Sequence, residues 1–136
     1  MTKDEVIDLI RDAGYGVLAT VDGKIPRVRP MMPYLTEDGN LLLAVLPNCR
    51  TIAQIQANPN VELCYLDRKM NFARVSGKTT ISKDLDKKTV VWDNIPMLRQ
   101  YFSGPEDANF TLIEIITGEV EVMTPQLQKP IITKLH

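Results

Sequence analysis

The feature that most limits the fold is a succession of short strand-like runs joined by tight polar turns. "YGVLATV" leads into Asp22–Gly23, "KIPRVRPMMPYL" follows, and "EDGN" separates that run from "LLLAVL". Asp-Gly between apolar runs is a strong hairpin signal, because glycine accepts the positive φ that the turn demands. The spacing predicts an antiparallel meander of three strands. "NVELCYLD" predicts a fourth strand and "NFARVSGKTTIS" a long fifth, with Gly77 as a bend or bulge. "FTLIEIITGEVEVM" predicts a sixth, apolar on both faces around Leu112 to Ile116. A strand of that kind suits a barrel that also packs against a partner chain.

Helical signals are short. Thr2 and Glu5 have capping-box spacing, and Val6, Leu9, Ile10 and Ala13 form one stripe, so residues 2–13 read as a helix. A second helix spans about Arg50 to Ala57 and stops before Pro59. Residues 84–102 read as two short helices, with Pro96 in the first turn of the second. Trp92, Ile95, Leu98, Tyr101 and Phe102 fit helix packing better than a stacking platform. The expectation is one domain over 1–136, mainly β with small helices. Its core is a six-stranded antiparallel barrel, closed or partly closed, over roughly 14–124.

The chain has 136 residues, enough to bury roughly two-thirds of its unfolded surface. Its net charge of −1, with no long basic run, argues against nucleic acid as a partner. No stretch approaches the length of a membrane span, and the charged N-terminus lacks a signal-peptide core. Cys49 and Cys64 match no redox or zinc spacing, so a reduced cytoplasmic protein is expected. The single histidine is His136, at a chain end where disorder is common. Histidine-based triads are thereby excluded, and no metal site is expected. Chemistry in such a chain falls to a bound cofactor.

Two stretches offer a place for one. In "PNCRTIAQIQANP", residues 47–59, Arg50 and Thr51 open a helix just where a buried strand ends. A helix N-terminus exposes free N–H groups and about half a positive charge, so a cation there is unfavourable without an anion. Arg50 adds a forked phosphate donor. The plainer reading is a solvated arginine with Asn48 as the cap. In "KIPRVRPMMP", Arg27 and Arg29 share one face, and Pro26, Pro30 and Pro33 donate no ladder hydrogen bonds. Such a strand either leaves backbone groups for a flat heterocycle or is a plain edge guarded against aggregation. Cys49, beside Arg50, is a candidate activated thiol. With no resolving cysteine or base placed by the sequence, a small cap-filling residue is the preferred reading.

In their order and spacing, "GVLATVDGKIPRVRPM", "DGNLLLAVLPNCRTIAQIQANPNVELCYLD", "VSGKTTISKD" and "VVWDNIPMLRQYFSGPEDANFTLIEIITGEVEVM" resemble one known family. It is the pyridoxamine 5′-phosphate oxidase-like family of FMN-binding split barrels, in its general stress protein 26-like branch. The resemblance covers roughly residues 3–125. It implies a split barrel, a homodimer with FMN at the interface, and a phosphate held by a Ser-Arg-Lys triplet whose matching positions are Cys49, Arg50 and Thr51. It further implies phosphate contact from Arg29, with Arg27 second, and flavin contact along Pro30, Met31 and Met32. Val45 stands where the family often has Thr. Phe72 stands where the true oxidases have a Gln that approaches from the other subunit, and Met123 where stress-protein relatives often have Trp. The C-terminal "PIITKLH" lacks the substrate motif of the true oxidases. The expected function is FMN-dependent oxidation or reduction of a small molecule, not vitamin B6 oxidation. The alternatives are a non-catalytic stress protein holding flavin or another planar ligand such as haem or a deazaflavin, and a barrel with no ligand. The resemblance assigns no catalytic residue.

Overall fold

The computed structural model describes all residues, Met1–His136. Eight strands form one sheet: β1 (Gly16–Asp22), β2 (Ile25–Met31), β3 (Tyr34–Leu35), β4 (Leu41–Val45), β5 (Asn60–Leu66), β6 (Phe72–Ser82), β7 (Thr111–Met123) and β8 (Ile131–Lys134). The helices are α1 (Lys3–Ala13), α2 (Arg50–Ala57) and α3 (Leu85–Asn94), followed by a 3₁₀ helix, Pro96–Gln100. No helix is long and apolar enough to cross a membrane.

The strand order is β2-β1-β5-β6-β7-β4-β3, and β8 pairs with β7. The two ends of this order, β2 and β3, are separated in the chain by just Met32 and Pro33. Two residues reach no more than about 10 Å. The sheet must therefore curl until its ends nearly meet, and the link across the gap is covalent chain rather than a hydrogen-bonded ladder. That is a split barrel.

Three expectations change. The meander of three strands is broken, because "KIPRVRPMMPYL" divides at Pro33: β2 pairs with β1, while Tyr34 and Leu35 pair with Leu42 and Leu41 of β4. Proline has no N–H for a ladder and a fixed φ, which ends the first pairing. The strand count is eight rather than six, and the barrel does not stop at residue 124. β8 docks on the C-terminal half of β7, from Glu119↔Lys134 to Val122↔Ile131. The terminal residues are also placed: Leu135 is buried and the His136 ring nitrogen Nε2 pairs with the Thr117 carbonyl. Gly39, at φ +85°, belongs to this closure, since a Cβ there would lie 2.3 Å from the Leu135 carbonyl oxygen.

The core has two compartments. Inside the barrel, Leu41, Leu43, Ile113, Ile115 and Val75 pack with Val6, Leu9 and Ile10 of α1 and Ile52 and Ile55 of α2. On the outer face of β4 and β7, Leu42 and Leu112 pack under Val91 of α3, Leu98 of the 3₁₀ helix, and Ile95 and Phe102 on either side of that helix. This second layer explains the two apolar faces of β7 without a partner chain. The expected bulge at Gly77 is present as a register shift between Val75 and Gly77, where a Cβ would meet Ile115 at 2.6 Å.

Candidate functional site

α2 starts where β4 leaves the barrel wall. Its N-cap is Cys49, not Asn48, and no side chain caps it. Its first turn holds no acidic residue. The chain's three ion pairs are Arg27–Asp22, Arg74–Glu121 and Lys87–Glu114, so neither Arg29 nor Arg50 has a carboxylate. Arg50 is exposed. Arg29 reaches from β2 across β1: its Nη1 donates to Thr20 Oγ1 at 2.8 Å and to the Leu18 carbonyl at 3.3 Å. Its Nη2 donates to Gln54 Oε1 at 2.6 Å. Gln54 lies four residues after Arg50, on the same face of α2. Desolvation pushes the Arg29 pKa below the ordinary arginine value, with Cys49 acting in the opposite sense. The group nevertheless stays charged. This end of the site is therefore positive, donor-rich and without a counter-charge.

A cavity of about 310 Å³ opens from it. Cys49 and Thr51 line its polar end, and Thr51 is 4% exposed. Pro30, Met31 and Met32 form one wall and Leu43, Ala44, Val45 and Leu46 another. Val91, Ile95, Met97, Leu98, Tyr101 and Phe102 close it from α3 and beyond. Neither a carboxylate nor a histidine lies on this wall. A flat, largely apolar body with an anionic tail matches both ends.

Of the residues singled out in the sequence, Pro30, Met31, Met32, Val45, Cys49 and Thr51 meet in this cavity. Arg29 joins α2 one turn from Arg50, outside the apolar wall. Arg27 is bound to Asp22 of its own hairpin, Nε to Oδ2 at 3.2 Å. Phe72 opens β6 opposite Leu66 and Met123 and lies outside the cavity, with the Arg74 guanidinium 5.8 Å from its ring centroid. Two contributions were not foreseen. One is the anchoring of Arg29 by Gln54 and Thr20; the other is that the stripe from Ile95 to Phe102, which packs as expected, forms cavity wall as well. The stripe was visible as apolar spacing, but its second role depends on where α3 docks.

Residues 1–133 match the family model described as Pyridoxamine 5'-phosphate oxidase like. The chain is similar to the solved structure of general stress protein 26 from Bacillus anthracis, at 29% identity and TM-score 0.82, over 98% of each chain. It shares its fold with a pyridoxamine 5'-phosphate oxidase-related, FMN binding protein from Nostoc punctiforme (17% identity, TM-score 0.75, 95% of this chain and 86% of that one). It also shares its fold with a heme binding protein from Mycobacterium smegmatis (12% identity, TM-score 0.80, 98% of this chain and 58% of that one).

Proposed function

The chain belongs to the pyridoxamine 5′-phosphate oxidase-like family, and from that premise we propose that it binds FMN and serves as a flavin-dependent oxidoreductase for a small molecule. One observation carries the reading: a single cavity joins an apolar wall to an uncapped helix N-terminus flanked by two arginines without carboxylate partners. Backbone N–H groups of α2, Arg50, Arg29 and the Thr51 hydroxyl would hold the phosphate. Pro30 to Met32, Val45 and the residues of the 3₁₀ helix would hold the ring. When bound, the flavin supplies the electron transfer; the protein positions it and keeps water from its face. The FMN binding protein of the same fold supports this choice of ligand. The two free thiols suit a reducing cytoplasm.

The partner in this reading is a second copy. The outward side chains of β2, β1 and β5 carry an apolar surface that includes Val28, 67% exposed, with Val17, Leu66, Pro26 and Pro30. An obligate homodimer would bury on the order of 2,000 Å² or more. Light scattering should give twice the 15.3 kDa chain mass; a single chain mass at micromolar concentration removes the dimer from the proposal.

The test of the ligand is an absorption spectrum with mass analysis of the purified protein, followed by titration with FMN and with riboflavin. A flavin spectrum and tighter binding of FMN are expected. A protein that takes up neither flavin, or that carries haem, overturns the reading. A second reading, ligand binding without turnover, draws on the absence of carboxylate and histidine from the cavity wall and on the heme binding protein of the same fold. Catalytic reoxidation of the reduced flavin with a nicotinamide donor separates the two.

A further inference from the structure

We infer that Gln54 is a positioning residue, which fixes Arg29 beside the α2 N-terminus while leaving its positive charge uncompensated for the anionic tail of the ligand. Resting on the FMN reading above, this identifies what sets the preference for a phosphorylated flavin.

Gln54 is 7% exposed, on the side of α2 that packs against β1. Its Oε1 accepts from Arg29 Nη2 at 2.6 Å and from Thr20 Oγ1 at 2.6 Å. A guanidinium has donors and no acceptor, so the amide must turn its oxygen to Arg29. Thr20 Oγ1 and the Leu18 carbonyl take up the other terminal nitrogen, Nη1. Three oxygens from three residues thus hold the arginine, and none of them is charged.

That choice has a chemical consequence. Glutamate matches glutamine in size and would bind Arg29 more strongly, through a charge-assisted pair. It would also cancel the charge. A residue selected to secure the fold would gain from the carboxylate; a residue that must hold a cation ready for an incoming anion requires the neutral amide. Burial already disfavours the charge on Arg29, so an uncompensated guanidinium here makes sense where an anion later arrives. Arg50, one turn earlier on the same face, is likewise unpaired.

The experiment compares wild-type protein with Gln54→Glu and Gln54→Asn. Dissociation constants for FMN and riboflavin are measured over a range of salt concentrations, and thermal shift is recorded with and without inorganic phosphate. Gln54→Glu should leave the melting temperature of the free protein unchanged or higher. It should lower the ratio of FMN to riboflavin affinity by roughly tenfold, the scale of one charge-assisted hydrogen bond. It should also flatten the salt dependence and abolish stabilisation by phosphate. Gln54→Asn, whose amide falls short of Arg29, should reduce the ratio at unchanged net charge and keeps the test decisive if Gln54→Glu does not fold. A folded Gln54→Glu, or failing that Gln54→Asn, that retains the wild-type ratio overturns the inference alone. Wild-type protein that binds neither flavin overturns the FMN reading and this inference with it.

Discussion

Two helix starts in this chain obey the same electrostatics and are treated in opposite ways. At α3, Asp84 caps the helix by accepting from the backbone N–H groups of Asp86 and Lys87, and Asp86 adds negative charge in the first turn. α1 is closed as thoroughly by the Thr2–Glu5 capping box, with Asp4 beside it. α2 has neither device: no capping bond, no acid, and an arginine in its first position. The exposed N–H groups and partial positive charge of a helix start are thus neutralised from within at α3 and left open at α2. The open one is the one at the cavity. In the proposed reading, the missing cap belongs to the ligand site and is not a weakness of local sequence.

The largest expected effect comes from removing the cation that makes the contrast sharpest. Arg50→Ala should weaken FMN binding by about 1.5–3 kcal/mol, or about tenfold to 150-fold, through loss of a charge-assisted phosphate contact. It should exceed any other single change in the first turn of α2. Riboflavin lacks the phosphate and should be affected far less. Equal losses for the two flavins, measured by fluorescence titration, would show that Arg50 does not meet the phosphate and that the open helix start serves something else.

A reciprocal pair of substitutions tests the contrast itself. Asp84→Ala should destabilise the free protein by about 1 kcal/mol, the usual worth of a cap, with no change in flavin affinity. Cys49→Asp should do the reverse at α2. It adds the missing cap and stabilises the free protein by a similar amount, about 1 kcal/mol. It also sets a carboxylate on the cavity wall, where it opposes the FMN phosphate. Denaturant unfolding with and without FMN reads both quantities. If Cys49→Asp stabilises the free protein and leaves FMN affinity intact, the α2 start is not where the phosphate sits.

Much of this was legible in the chain before folding, and what was legible shares a cause. The Asp22–Gly23 hairpin, the bounds of α2, the bulge at Gly77 and Pro96 at the head of the 3₁₀ helix rest on short-range chemistry. The division at Pro33 had a local signal too, but assigning Tyr34 and Leu35 to β4 required knowing that the sheet curls. β8 had no such signal. "IITK" becomes a strand because the far half of β7 offers it an unpaired edge, and because Leu135 fills the space that Gly39 leaves. The site divides in the same way. Arg50 and Thr51 stood out as misfits at a helix start. Gln54 looked like any polar helix residue, since its partners lie 34 and 25 positions away on β1 and β2.

The smallest expected effect is also the finest probe of the contrast, and it concerns Thr51. The family resemblance places a lysine there, and this chain has a buried threonine on the cavity wall instead. Thr51→Lys therefore adds a second cation to a helix start that already has one. In the free protein the helix dipole opposes it by about 0.3–1 kcal/mol. With FMN bound, the phosphate reverses the sign and the ammonium gains an ion-pair contact. Thr51→Lys should lower the melting temperature of the free protein slightly, tighten FMN, and steepen the salt dependence of binding. Thermal shift separates these terms, because a ligand that binds the folded state alone stabilises it by mass action. The same substitution should leave riboflavin affinity almost unchanged. If Thr51→Lys leaves FMN affinity unchanged or weaker in a folded protein, the phosphate does not lie at this turn. The capless start of α2 would then belong to a different ligand, and binding without turnover becomes the better reading of the cavity.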